Sequence, residues 1–141
     1  MAIHFYFHEV PARLKHRLAL KQAIRRLFER EHRDLESLDY IFCSDAYLLT
    51  INQQYLKHDT LTDIITFDLS EAGGGIRAEI YISQQRVEEN AREFGSGFVQ
   101  ELHRVIFHGA LHLCGYKDKT ESQKALMRHK EQQCLDLYFK S

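Results

Sequence analysis

The sequence predicts an α+β fold: a single domain over residues 1–141 in which a small mixed four-stranded sheet packs with about five helices. Three observations predict it. Apolar and polar residues alternate at the N-terminus, which is the period of a strand, while later stretches repeat apolar residues at helical spacing. Strand-like and helix-like segments then mix without strict alternation, which reads as α+β. The length, 141 residues, suits one domain that buries roughly two-thirds of its unfolded surface.

Each element follows in order. Ile3, Phe5 and Phe7 alternate with Ala2, His4, Tyr6 and His8, giving a first strand, and the single proline, Pro11, comes after it. From about Arg13 to Arg33, Leu20, Ile24, Leu27 and Phe28 recur on one helical face, with Lys15, Arg26, Arg30 and Arg33 opposite. Leu38 to Cys43 reads as a second strand. Ser44 or Asp45 then suits the cap of a short helix carrying Leu48, Ile51 and Tyr55. Strands around Asp63–Leu69 and Arg77–Ser83 flank Gly73, Gly74 and Gly75, a connection fit for a hairpin. Val87, Ala91 and Phe94 mark a helix that Gly95 and Gly97 end, and Val99 to Cys114 has the composition of a largely buried helix. Thr120 and Gln123 form a capping-box pattern before Leu126, Met127, Cys134, Leu137 and Tyr138.

Hydrophobic residues at 44% and charged residues at 28% describe an ordinary soluble protein. No run approaches the roughly 20 apolar residues of a membrane span, and two histidines and a glutamate interrupt the N-terminus where a signal peptide needs an apolar core. The expected location is the cytoplasm, with no membrane contact. Cys43, Cys114 and Cys134 are an odd count without a CxxC pair and read as small buried hydrophobes. A net charge of −1 announces no polyanionic partner. Between Arg13 and Arg33, however, eight Lys/Arg stand against Glu29 and Glu31. Such a run is either the solvated face of a helix or a nucleic-acid patch.

The segment FHGALHLCGYKD, Phe107 to Asp118, carries the chemistry. His108 and His112 are one helical turn apart, so both imidazoles leave the same face. Two histidines at this spacing supply half of a tetrahedral zinc site, although the pair alone also occurs on helices without metal. Gly115 allows a left-handed helix end, after which Asp118 can return as a third ligand and leave a fourth position for water. These are the spacings of the HExxHxxGxxH zinc motif with Asp in the last place. The glutamate that acts as general base in that motif is Gly109 here. Peptide hydrolysis needs that base, whereas a zinc-bound water with a pKa near 7 can attack an ester whose leaving group is better.

His108 to Tyr116, HGALHLCGY, closely resembles the signature HGxLHLxGYDH of the YbeY family of bacterial rRNA-maturation endoribonucleases. Tyr55 to Phe67, YLKHDTLTDIITF, looks like the family's YRxKDxPTDVLSF, and Ala78 to Ser83, AEIYIS, stands in place of its GDIxIS strand. The order of elements also fits, so the resemblance covers nearly the whole chain. It implies a small α+β fold with one zinc per chain, no organic cofactor, and single-strand-specific RNA cleavage. It further implies a part in 16S rRNA maturation and ribosome quality control, with rRNA and the small ribosomal subunit as partners. The family's three ligands carry over onto His108, His112 and position 118, where most relatives have histidine and this chain has Asp118. A carboxylate is an acceptable zinc ligand, but its charge should make the bound water less acidic than three imidazoles would.

A second departure is Leu56, where the family usually has an arginine thought to assist cleavage. Lys57, His58 and Arg104 are the candidates to bind phosphate instead. At 100° per residue, Arg104 points within about 40° of His108, and Glu101, a turn further back, is a candidate to support the ligands from behind. His103 lies about 140° from His108, and Cys114 also points away. The expectation is thus a zinc-dependent endoribonuclease whose catalytic group is a zinc-bound water. The alternatives are a zinc peptidase or amidase, which Gly109 disfavours, and a non-catalytic ribosome-assembly factor with a structural zinc.

Overall fold

Period-2 burial along the strands decides how the sheet is used. The computed structural model describes residues 2–56 and 62–140. Strands β1 (Ala2–Phe7), β2 (Leu35–Cys43), β3 (Ile64–Asp68) and β4 (Ile76–Ser83) form one sheet in the order β1-β2-β4-β3. β1, β2 and β4 run parallel and β3 is antiparallel to β4, so the sheet is mixed, as expected. The register lines up apolar rows across it: Ile3, Leu38 and Ala78; Phe5, Tyr40 and Ile80; Phe7, Phe42 and Ile82. Seven of the nine are buried in the main core, and Phe5 and Phe7 pack against it half-buried.

Helices α1 (Arg17–Arg30), α3 (Gln84–Phe94), α4 (Phe98–Leu113) and α5 (Glu121–Phe139) contribute to that core. The opposite sheet face carries a smaller cluster, in which Leu48 and Ile51 of α2 (Asp45–Ile51) pack with Cys43 and Ile65. Ser44 caps α2 by accepting from the Tyr47 N–H at 3.1 Å. Thr120 and Gln123 cap α5 reciprocally, each side chain accepting from the other's backbone N–H. All three cysteines are buried and free. No helix among the described residues is long and apolar enough to cross a membrane.

Several boundaries and faces differ from the sequence expectation. α1 begins at Arg17 rather than near Arg13, because His16 takes a left-handed conformation, φ 55°, that a helix interior does not accept. Beyond Ile51 the chain continues as a π-helical segment, Asn52–Leu56, and Tyr55 is exposed, its ring edge meeting Phe67. Phe94, Leu126 and Leu137 are also exposed. The buried face of α5 is Met127, Glu131, Cys134 and Leu135, a helical stripe interrupted by an acid.

α4 is covered on nearly every side, touching α1, α3, α5, β3 and β4. Tyr40 of β2 donates its buried hydroxyl to the Ile106 carbonyl of α4 at 2.9 Å. Close approach to the sheet depends on Gly109: a Cβ there would lie 2.9 Å from Ile80 Cδ1 and 3.0 Å from Ile64 Cδ1. Gly109→Ala should therefore lose stability. Overpacking costs about 1–3 kcal/mol, and the gain in helix propensity returns about 1 kcal/mol. Urea unfolding reads the balance, and a variant more stable than the parent would mean that the two isoleucine ends move aside freely.

Candidate metal centre

α4 is well placed to hold a metal because its histidine face meets the sheet edge while its end is tightly turned. Gly115, at φ 104°, donates its N–H to the His112 carbonyl at 3.0 Å, and Tyr116 donates to Leu111 at 3.1 Å. This pairing ends the helix and reverses the chain in the way a glycine permits. The reversal returns Asp118 to the histidines. Asp118 Oδ2 lies 3.3 Å from His108 Nε2 and 3.3 Å from His112 Nε2.

The donor set fits zinc. Atoms that each lie about 2.0–2.1 Å from a tetrahedral zinc are about 3.3–3.4 Å from one another, and two of the three edges have that length. One atom from each of the three residues lies within 4.8 Å of the others. The His108 tautomer, assigned from its partners, points the same way. Its Nδ1 donates to Glu131 Oε2 at 2.5 Å, so in the neutral ring Nε2 presents a lone pair to the Asp118 oxygen. A cation between those two lone-pair atoms would satisfy both, and their separation suits one.

Behind His108 is a buried ionic chain. Arg104 Nε and Nη2 reach the two oxygens of Glu101, at 3.0 and 2.5 Å, and Nη1 reaches Glu131 Oε1 at 2.8 Å. Glu101 and Glu131 are 3% and 2% exposed. Burial pushes the Glu131 carboxyl up, but His108 and Arg104 outweigh it and hold the group below its ordinary pKa. Burial likewise opposes the Arg104 charge, and the two carboxylates more than restore it.

The open side of the site is a cleft of about 540 Å³ lined by Thr62, Asp63, Thr66 and Asp68 together with Arg104, His108, His112 and Asp118. Burial raises the Asp63 pKa, with His108 and Arg104 pulling the other way. Glu79 shares the opposite sheet face with Tyr81, whose hydroxyl it accepts at 3.3 Å. Its neighbours in sequence, Ala78 and Ile80, are the ones in the main core.

Of the residues singled out from sequence, His108, His112 and Asp118 are brought together, and Arg104 and Glu101 lie directly behind them. Arg104 lines the cleft, as helical projection expects, but its donor nitrogens face carboxylates rather than open space. Lys57, His58 and the Leu56 side chain lie outside the described residues. His103 is on the other side of α4, its Nδ1 donating to the Val99 carbonyl at 2.7 Å. Sequence reasoning missed Glu131. The available signal was an acid in phase with Met127 and Cys134, on the stripe that α5 buries.

A profile of the family described as Endoribonuclease YbeY matches residues 8–138. The chain is 55% identical over 108 residues to an Endoribonuclease YbeY from Flavobacterium psychrophilum, covering 77% of this chain and 76% of that one. It is 45% identical over 135 residues to the protein of that name from Cytophaga hutchinsonii, covering 96% and 94%. The solution structure of TM1509 from Thermotoga maritima is similar with a TM-score of 0.67 and 30% identity, covering 97% of this chain and 89% of that one. The chain belongs to the YbeY endoribonuclease family.

Proposed function

We propose that the protein is a zinc-dependent endoribonuclease that cuts single-stranded RNA, with His108, His112 and Asp118 as the metal ligands. Its place of action is the cytoplasm, in maturation of 16S rRNA and quality control of the small ribosomal subunit. The observation that carries the reading is the convergence of two Nε2 atoms on one Asp118 oxygen at 3.3 Å each, in a chain whose relatives are named endoribonucleases. Zinc held there would supply Lewis acidity toward a phosphoryl oxygen and make water acidic enough to lose its proton near neutral pH. The chain's own residues do the rest. Glu131 keeps the His108 proton on Nδ1 and so keeps Nε2 open. Asp63 lines the same cleft, and burial raises its pKa, which suits a group that would accept and return a proton there. No observation favours a peptidase: where such enzymes hold a glutamate base, Gly109 packs against Ile80 and Ile64.

The cleft itself is acidic. Asp63, Asp68 and Asp118 line it, and Arg104 is its only cation among the described residues. A phosphodiester is repelled by that surface until a divalent cation is bound. Three results are expected of one set of measurements. His112→Ala should lose the metal, chelation should weaken binding of a single-stranded oligoribonucleotide as well as its cleavage, and Asp63→Asn should keep the metal but lose rate. Full metal content in His112→Ala would remove the ligand assignment. Undiminished cleavage by fully chelated protein would overturn the metal dependence.

A further inference from the structure

A groove of about 920 Å³ lies on the far side of α4 from the histidines, between α1, α4, α5 and the segment that precedes α1. Its floor is apolar, including Leu14, Ala23, Leu102, Phe107 and Cys134. Its lips carry Val99, Leu137 and Phe139, three of the large apolar side chains the protein leaves exposed. Gathered at one groove rather than scattered singly, they offer a candidate contact surface.

Charge around the groove has one sign. Arg13, Lys15, Arg26 and Arg30 line it, and no Asp or Glu does so among the described residues. Since the whole chain has a net charge of −1, this is local segregation. Arg13 is partly neutralised by Glu88 at 3.0 Å and lies over the Phe98 ring at 3.6 Å. No ion pair joins Lys15 or Arg26 to a described residue.

His103 adds an independent observation. It lines the groove, is 5% exposed, and its Nε2 has no hydrogen-bond partner. With Nδ1 donating to Val99, Nε2 is an unused acceptor, and burial favours the neutral ring. A chain seated in the groove would lie against this nitrogen and change its surroundings.

We propose that this groove docks an acidic amphipathic helix of a partner protein, its apolar face between the groove walls and its carboxylates at Lys15 and Arg26. Helix-in-groove binding needs an apolar trough with complementary charge at the lips, and both are present. Small residues on the α1 side, Ala12, Ala19 and Ala23, let a helix approach closely. RNA would instead need open ring faces for its bases. Here Arg13 covers Phe98, and Tyr138 stacks on His103 with centroids 5.1 Å apart. The surface is separate from the metal cleft, because His103 and His108 leave α4 about 140° apart.

The test uses the full chain and a labelled helical peptide of roughly 20 residues with leucines along one face and glutamates elsewhere. A lysine-for-glutamate counterpart and a single-stranded oligoribonucleotide serve as competitors of different class. Fluorescence anisotropy should show binding of the acidic peptide and not of its lysine counterpart. In Lys15→Glu/Arg26→Glu, with circular dichroism confirming the fold, that affinity should fall by about tenfold or more, while oligoribonucleotide affinity is unchanged or lower only in proportion to net charge. The His103 Nε2 resonance should shift when the acidic peptide is added, which a contact confined to the charged rim would not cause. No binding of the acidic peptide, equal binding of both peptides, or indifference to the double reversal would each overturn the proposal. Loss of RNA affinity alone on reversal would make the groove a nucleic-acid surface instead.

Discussion

Arg104→Ala should destabilise the fold by about 3–5 kcal/mol, the usual cost of removing one partner from a buried ion pair. The reason is what remains. Glu101 and Glu131 would be left facing each other with almost no solvent and no countercharge, and Glu131 would keep only His108 as a partner. Replacing all three members, Glu101→Gln, Arg104→Met and Glu131→Gln, should recover much of the loss, because a buried ionic chain contributes little net stability over a satisfied neutral one. Urea unfolding of metal-free protein at neutral pH measures both variants. An Arg104→Ala midpoint equal to the parent's would mean that water already solvates the carboxylates.

The same chain makes stability depend on pH. Glu131 is held below its ordinary pKa of 4.5, so the unfolded state binds its proton at higher pH than the folded state does. Its contribution is therefore fully present above that ordinary value and is lost as pH falls through the lower, folded one. Acid titration of the parent should be steeper than that of the triple variant in this window.

Much of this fold was legible because strands and helices were amphipathic in phase with their own periods. The rows Ile3–Leu38–Ala78 and Phe5–Tyr40–Ile80 follow from alternation, and Thr120 and Gln123 announced the start of α5. The candidate ligand cluster was legible for a related reason: His108, His112, Gly115 and Asp118 are close in sequence, so local geometry alone brings them together. Glu131 was not, since the contact that defines it spans 23 residues and two helices. Its presence on the buried stripe of α5 also interrupts the apolar pattern there, and Leu126 and Leu137 lie off that stripe, exposed. Arg104 shows the limit of projection. The angle on α4 was right, but which charge the guanidinium meets depends on α5.

Glu131→Gln should weaken zinc binding by about 10–100-fold, the usual effect of losing the group that orients a ligating histidine. A carboxylate accepts from both neighbours, whereas a carboxamide accepts on one side only. With its oxygen toward His108, the amide N–H₂ faces the Arg104 donors. With its oxygen toward Arg104, the N–H₂ faces His108 Nδ1 and favours the tautomer that places the proton on Nε2, where the metal would bind. Either arrangement disturbs one contact that the structure satisfies. Competition with a chromophoric chelator measures the zinc affinity, and side-chain nitrogen resonances of His108 in metal-free protein report the tautomer. A merely structural Glu131 would shift the urea midpoint and leave the tautomer unchanged. The positioning role requires both the affinity and the tautomer balance to move, and parental values for the two in Glu131→Gln would refute it.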